Sequence, residues 1–267
     1  MSSPSLSASR PRLVALPLSP WSERARWVLD HHRIDYQLVP HVPLLGERRL
    51  RRLVGPTKKR ATVPVLVLPE AVLTESWDIA LHADRHGYSQ PLLPGERSEE
   101  IRRYVDLADR TMVAGRALVM RALLASGEAL DETLPPGVPR GLRPWLRPIS
   151  RQGARWFARK YELSLDAEAA EREVVRAALI ALREGLGAGS GYLLGGFTYA
   201  DIVMAVSLQS VSPVAQRYIR LGPATRRVWS SPALAAEFGE LIAWRDQLYE
   251  KHRSPAPAPP AAAPSAP

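Results

Sequence analysis

The run Ser19-Pro20-Trp21-Ser22 sets two hydroxyls around a proline where an apolar stretch, Leu13 to Leu16, gives way to a basic amphipathic one. Serine is a favoured helix N-cap, and proline suits the first helical position, where a missing N–H costs nothing. Trp21, Ala25, Val28 and Leu29 then recur at helical spacing, with Glu23, Arg24, Arg26 and Asp30 mostly opposite. The pattern predicts a strand over Leu13 to Leu16, an N-cap at Ser19 and a helix from Pro20 to His32. A hydroxyl at the positive end of a helix makes a place for an anion. Another hydroxyl, Ser76, follows Thr74 and Glu75 at the expected start of a helix reaching His86, and Val63-Pro64 stands directly before the apolar run Val65 to Leu68. The sequence leaves open whether that bond is cis, as about 5 to 6% of X–Pro bonds are, or trans at the first residue of a strand.

Other reactive chemistry is thinly supplied. The 267 residues include no cysteine, which excludes disulfides, thiolate metal sites and protein-borne thiol chemistry. His82 and His86 share a predicted helix face, but Ala-Asp-Arg lies between them without the glutamate of the metalloprotease pattern, and no metal site is assigned. His31 and His32 fall at a helix C-terminus, where cationic rings suit the dipole. Glu99, Glu100, Asp106 and Asp109 are read as surface ion pairs with Arg102, Arg103 and Arg110; Tyr104, Met112, Arg116 and Met120 receive no catalytic role.

The net charge of +9 and pI near 10.2 keep nucleic acid, acidic lipid and small carboxylates open as partners. The charge concentrates in "GERRLRRLVGPTKKRA", residues 46–61, and between Arg140 and Lys160. Aromatic interleaving is absent from the first run and limited to Trp145, Trp156 and Phe157 in the second, so a base-stacking surface is poorly supported and both runs are read as solvated faces.

These elements need a frame. Apolar content of 46% and charged content of 24% are those of an ordinary globular chain long enough for two domains. No segment reaches the ~18 to 20 apolar residues of a membrane span. Residues 12–86 alternate strand and helix and then offer two adjacent strands and a helix, which points to a small α/β domain with a mixed sheet. Residues 87–97 form a turn-rich linker, and residues 98–253 carry the helical period, broken by "DETLPPGVPRGLRPWLRP", whose prolines exclude a continuous helix. The stretch from Leu134 to Lys160 matches no signature and is left between a loop, a contact surface and a connector. Residues 1–11 and the Pro/Ala-rich residues 254–267 are expected to be disordered tails.

This order of elements, with four motifs, resembles the glutathione transferase superfamily: a thioredoxin-like N-terminal domain followed by an all-helical C-terminal domain. Ser19-Pro20-Trp21-Ser22 is similar to the active-site turn of the serine-type members, with Ser19 at the catalytic position. Val63-Pro64 resembles the family's cis-proline turn, which pairs with the cysteinyl backbone of glutathione. Glu75-Ser76 resembles the pair that holds the γ-glutamyl end, with Trp77-Asp78-Ile79 departing from the usual small residue there. Thr198 and Asp201 in "GGFTYADIVMAV" resemble the buried capping box of the helical domain, a feature of fold rather than of substrate.

The resemblance implies a glutathione S-transferase: Ser19 stabilises the thiolate of bound glutathione, Ser19, Val63, Pro64, Glu75 and Ser76 bind the tripeptide, and an apolar electrophile is attacked between the domains. Trp21, Ser22, Arg24, Lys59 and Arg60 are further candidates, with Arg24 or the Lys58-Lys59-Arg60 group for the glycyl carboxylate. Glutathione is the co-substrate; peroxidase and isomerase chemistry use the same thiolate. The family further implies a cytoplasmic homodimer engaged in detoxification. Two rivals stand beside this reading. One is a transferase-like scaffold without turnover, favoured if Trp21 fills the sulfur subsite. The other is a basic protein docking to a membrane or to nucleic acid.

Overall fold

The computed structural model describes residues 10–254 except 57, 59, 136 and 188. The expected tails therefore lie outside the described residues apart from 10, 11 and 254, and so does Lys59. The first unit is built on a four-stranded mixed sheet of order β2-β1-β3-β4. Strand β1 (Arg12–Ala15) runs parallel to β2 (Gln37–Pro40) and antiparallel to β3 (Val65–Val67), which pairs antiparallel with β4 (Val72–Leu73). The crossover from β1 to β2 is α1 (Pro20–His31); α2 (Glu47–Val54) follows β2, and α3 (Ser76–His86) follows β4. This is the thioredoxin-like arrangement, and its elements start and stop within about two residues of their sequence signals.

The remainder is helical. The long α4 (Ser98–Ala125) packs along α7 (Glu168–Leu186) and α8 (Tyr199–Ser207), with α5 (Gly127–Glu132), α6 (Arg143–Lys160), α9 (Pro223–Val228), α10 (Pro232–Glu237) and α11 (Gly239–His252) around them. Helix α8 is buried along its whole length, and its start carries the expected capping box. Asp201 Oδ2 accepts from Thr198 N at 2.8 Å, and Oδ1 accepts from Leu193 N at 2.9 Å. The helix N-terminus thus has the partners it needs away from water.

The stretch 134–160 departs from the sequence reading. It is neither a loop nor a plain connector, because an 18-residue helix begins at Arg143 and contains both Pro144 and Pro148. Pro144 sits in the first turn, where it is free of cost. Pro148 lies further in and removes one ladder bond, but both prolines are exposed, so water can reach the freed carbonyl.

One apolar core runs through both units, from Leu13, Leu29 and Leu66 to Leu179, Tyr199 and Met204. Helix α11 and the Arg253 that follows it close this core. Trp27 packs edge-on against Tyr249 at 4.4 Å and donates its indole N–H to the His252 carbonyl at 3.0 Å. Arg253 reaches back to Glu23 at 2.8 Å, and both side chains are essentially inaccessible. Desolvation alone would make Arg253 easier to deprotonate, but Glu23 and Asp30 outweigh it and hold the guanidinium more firmly charged than usual. Burial and a charge-assisted partner together make this contact one that tolerates neither residue being removed alone.

Candidate functional site

The three hydroxyl and proline motifs meet at one end of the sheet because of strand register. Val14 pairs with Val65 and Leu66 with Leu73. Continuing those registers sets Pro64 opposite Ala15 on one side and Glu75 on the other, with Val63 opposite Leu16. The Val63-Pro64 bond is cis, which resolves the choice the sequence left open. Strand β1 ends here because its next amide, Leu16 N, turns aside to donate to Ser22 Oγ at 3.2 Å. Ser22 is fully buried by that role.

Ser19 caps α1 from extended backbone, and its Oγ accepts from Ser22 N at 3.4 Å, a long bond. The oxygen is used as an acceptor, and no bond donated by its hydroxyl proton is found among the described residues. The side chain is half-buried at the positive end of a 12-residue helix. It is therefore a polarised O–H donor free to face an anion.

Arg24, one turn along α1, ties this helix to two others. Its Nε donates to Ser76 Oγ at 2.7 Å at the start of α3, and its Nη2 pairs with Asp109 of α4 at 2.9 Å. Only 3% of Arg24 is exposed, yet Nη1 has no partner. Tyr199 of α8 donates to the Ser76 carbonyl at 3.3 Å, so Ser76 is held from both sides while its own hydroxyl proton stays available. Burial raises the pKa of Tyr199, which keeps the phenol a donor. Asp109 also accepts from the Trp21 indole N–H at 2.9 Å. It is not the surface ion-pair residue expected from its neighbours, but the joint between the two units.

Two further wall residues come from places the sequence reading left unassigned. Arg116 of α4 lies with its guanidinium 4.6 Å from the Trp21 ring and 4.2 Å from the Tyr161 ring, just past the end of α6. It makes no ion pair among the described residues, and its Nε is buried and unpartnered. Burial lowers its pKa to about 10, which still leaves it charged at neutral pH. Stacking on two ring faces is the environment that a weakly hydrated guanidinium tolerates. Burial also raises the pKa of Tyr161, with Arg116 acting against it. Helical spacing had marked Arg116 as one of four positions on α4 but gave no sign of its stacking partners. Tyr161 was within reach of a reading that recognised α6.

The remaining candidates separate. Glu75 is the N-cap residue of α3 without capping it through its side chain; instead its carboxylate accepts from Lys58 Nζ at 2.5 Å. Arg60 pairs with Glu162 and not with the residues around Ser19. Trp77 packs towards the helical unit, 6.1 Å from Tyr199 and under the Arg102 guanidinium at 4.0 Å, which explains how a large residue is accommodated after Ser76. At the C-terminus of α1, His32 is fully buried on Asp84 at 2.6 Å, and burial lowers the pKa of His31. His82 and His86 stack on each other at 4.2 Å, and among the described residues no group of three or more potential metal ligands occurs.

Residues 13–90 match the family model of the glutathione S-transferase N-terminal domain. No curated protein matches the chain in sequence. In fold, it is similar to a glutathione S-transferase from Ceriporiopsis subvermispora in complex with glutathione, with TM-score 0.62, 18% identity, and coverage of 94% of this chain and 100% of that one. A glutathione S-transferase from Methylobacillus flagellatus KT with glutathione bound gives TM-score 0.59 at 19% identity, covering 92% and 100%. One from Methylobacterium radiotolerans in complex with glutathione sulfonate gives 0.55 at 20%, covering 96% and 100%. Residues 13–90 thus match a glutathione S-transferase N-terminal domain, and the chain as a whole shares the fold of the glutathione S-transferases it resembles.

Proposed function

We propose that this protein binds reduced glutathione at the sheet end and uses Ser19 to hold the bound thiol as a thiolate for attack on an electrophile. The observation that carries the reading is the Ser19 hydroxyl, which caps α1 as an acceptor and keeps its proton to donate. A free thiol ionises near pH 8.5, so a preorganised donor and a helix N-terminus together favour its anion at neutral pH.

The tripeptide lies along the cis-proline edge, its cysteinyl backbone against Val63. Its γ-glutamyl carboxylate meets Ser76, the α3 amides and Arg24. The unpartnered Arg24 Nη1 beside Ser76 supports that last role and moves Arg24 from the glycyl end, where the sequence reading had it, to the γ-glutamyl end. Glu75 takes the ammonium by exchanging Lys58. Trp21, Arg116 and Tyr161 wall the side from which the electrophile arrives.

The test is the Ser19→Ala variant. A hydrogen bond to a charged acceptor is worth about 1.5–3 kcal/mol, so the bound thiol should titrate about one to two pH units higher while glutathione still binds. An unchanged thiolate titration in a variant that binds glutathione contradicts the role of Ser19. A second reading, a scaffold without turnover, draws on the Lys58–Glu75 pair, which occupies the carboxylate that a ligand ammonium needs. It predicts no saturable binding of glutathione. The tether of Trp21 to Asp109 turns the indole towards α4 and weakens the idea that it plugs the sulfur position.

A further inference from the structure

Helix α6 has a composition that the glutathione site does not use. Arg143, Arg147, Arg151, Arg155 and Arg159 recur every four residues, Lys160 follows, and the helix contains no acid. Arg143 and Arg147 are engaged locally, by the Val138 carbonyl and by Asp131. Arg151, Arg155 and Arg159 are exposed and have no partner among the described residues. On the same helix Trp145 is 82% exposed and Ile149 66% exposed, an unusual placement for such large apolar groups.

The loop before α2 extends this surface. Leu45 is 86% exposed, and Val42 and Leu44 are exposed beside it. A Cβ placed on Gly153 would lie 3.6 Å from Leu44 Cδ1, so the loop touches α6 one turn from Ile149. Leu44 takes a left-handed backbone, φ 70°, which branched residues rarely adopt. Lys160 at the end of α6 clasps Glu47 at the start of α2 at 2.7 Å. Arg48, Arg49 and Arg52 then continue the positive charge along α2, exposed and unpartnered among the described residues. The carboxylates bordering α6 are each already held: Asp131 by Arg147, Glu47 by Lys160 and Glu162 by Arg60.

We propose that α6 and the Val42–Leu45 loop form a docking surface for an anionic lipid bilayer, with Trp145, Ile149 and Leu45 entering the headgroup boundary and the arginines meeting lipid phosphates. An exposed Trp and aliphatic side chains next to unpaired arginines are the chemistry of an interfacial helix. Three features favour lipid over other occupants. The exposed apolar groups are mostly aliphatic, whereas nucleic acid wants aromatic platforms. A two-fold contact with a second copy would set the same unpaired arginines against each other. The surface carries no free carboxylate of its own among the described residues to attract a basic partner. The inference is independent of the glutathione reading.

Co-flotation of the full chain with vesicles tests it. Binding is expected to vesicles containing phosphatidylglycerol, to be absent with phosphatidylcholine alone, and to be lost at high salt. The double variant R155Q/R159Q should bind about 30-fold more weakly, the loss expected for two surface cations. Trp145→Ser should weaken binding about tenfold by withdrawing one apolar anchor. All three positions are exposed, and far-UV circular dichroism confirms that the variants fold. The proposal is overturned by absence of binding to anionic vesicles, by binding that these variants do not weaken, by retention on single-stranded nucleic acid without vesicle binding, or by a dimer that Trp145→Ser dissociates.

Discussion

Removing either partner of the Arg24–Asp109 pair should destabilise the protein unequally, because the two charges sit in different surroundings. Arg24 is 4% exposed in its side chain and Asp109 is 40% exposed, at a separation of 2.9 Å. At an effective dielectric of about 20, such a pair attracts by about 6 kcal/mol before desolvation is set against it. Asp109→Ala strands a buried guanidinium with one hydrogen bond left, to Ser76, and also frees the Trp21 indole N–H. Breaking a buried pair in this way costs about 3–5 kcal/mol. Arg24→Met instead removes the buried charge and leaves a carboxylate that water partly reaches and Trp21 still serves. Its cost is mainly the hydrogen bond lost from Ser76 and partial exposure of Asp109, about 1–2 kcal/mol. The double variant should cost less than the sum of the two single variants, with a coupling of about 1–3 kcal/mol. Urea unfolding followed by circular dichroism reads all three values. Equal costs, or a larger loss for Arg24→Met, would refute the argument that an uncompensated guanidinium dominates this joint.

Two further outcomes follow from other parts of the fold. Burial, with Lys251 and His31 adding to it, pushes the pKa of His252 down to about 4, so the folded protein holds this ring neutral, stacked 3.8 Å from Phe197. The unfolded chain binds the proton near pH 6.5. Stability should therefore be complete above pH 6.5 and decline as pH falls towards 4, and His252→Phe should flatten that slope in thermal melts taken across the range. Asp201→Ala should cost about 2–4 kcal/mol, because it leaves the buried Thr198 and Leu193 amides unpaired at once, with the loss visible as a lower urea midpoint.

The parts of this structure that were legible from sequence are those set by near neighbours. Ser19, Pro20 and the apolar period of α1 define a helix start within a few residues, and Thr198 with Asp201 does the same for α8. A mixed sheet followed from the order of the elements, whereas the strand order and the register that carries Pro64 and Glu75 to the Ser19 end emerged only from the folded chain. What stayed hidden depends on distance along the chain. Asp109 is 88 residues from Trp21, and nothing in its surroundings of arginines distinguishes a joint from a solvated pair. Arg116 takes its meaning from two rings supplied by α1 and by the end of α6. Helix α6 itself was obscured because proline was weighed as a breaker, although Pro144 lies in the first turn and Pro148 on an exposed face. The burial of His31 was hidden for a related reason: desolvation is a tertiary property, and it lowers the pKa of that ring.

The central claim is that Ser19 holds a glutathione thiolate, and calorimetric titration with reduced glutathione, read together with the thiolate absorbance of the complex, tests it most directly. The account predicts saturable binding and a thiolate signal at neutral pH that Ser19→Ala removes without abolishing binding. Absence of binding at millimolar glutathione, or a thiolate signal that survives in Ser19→Ala, would contradict it.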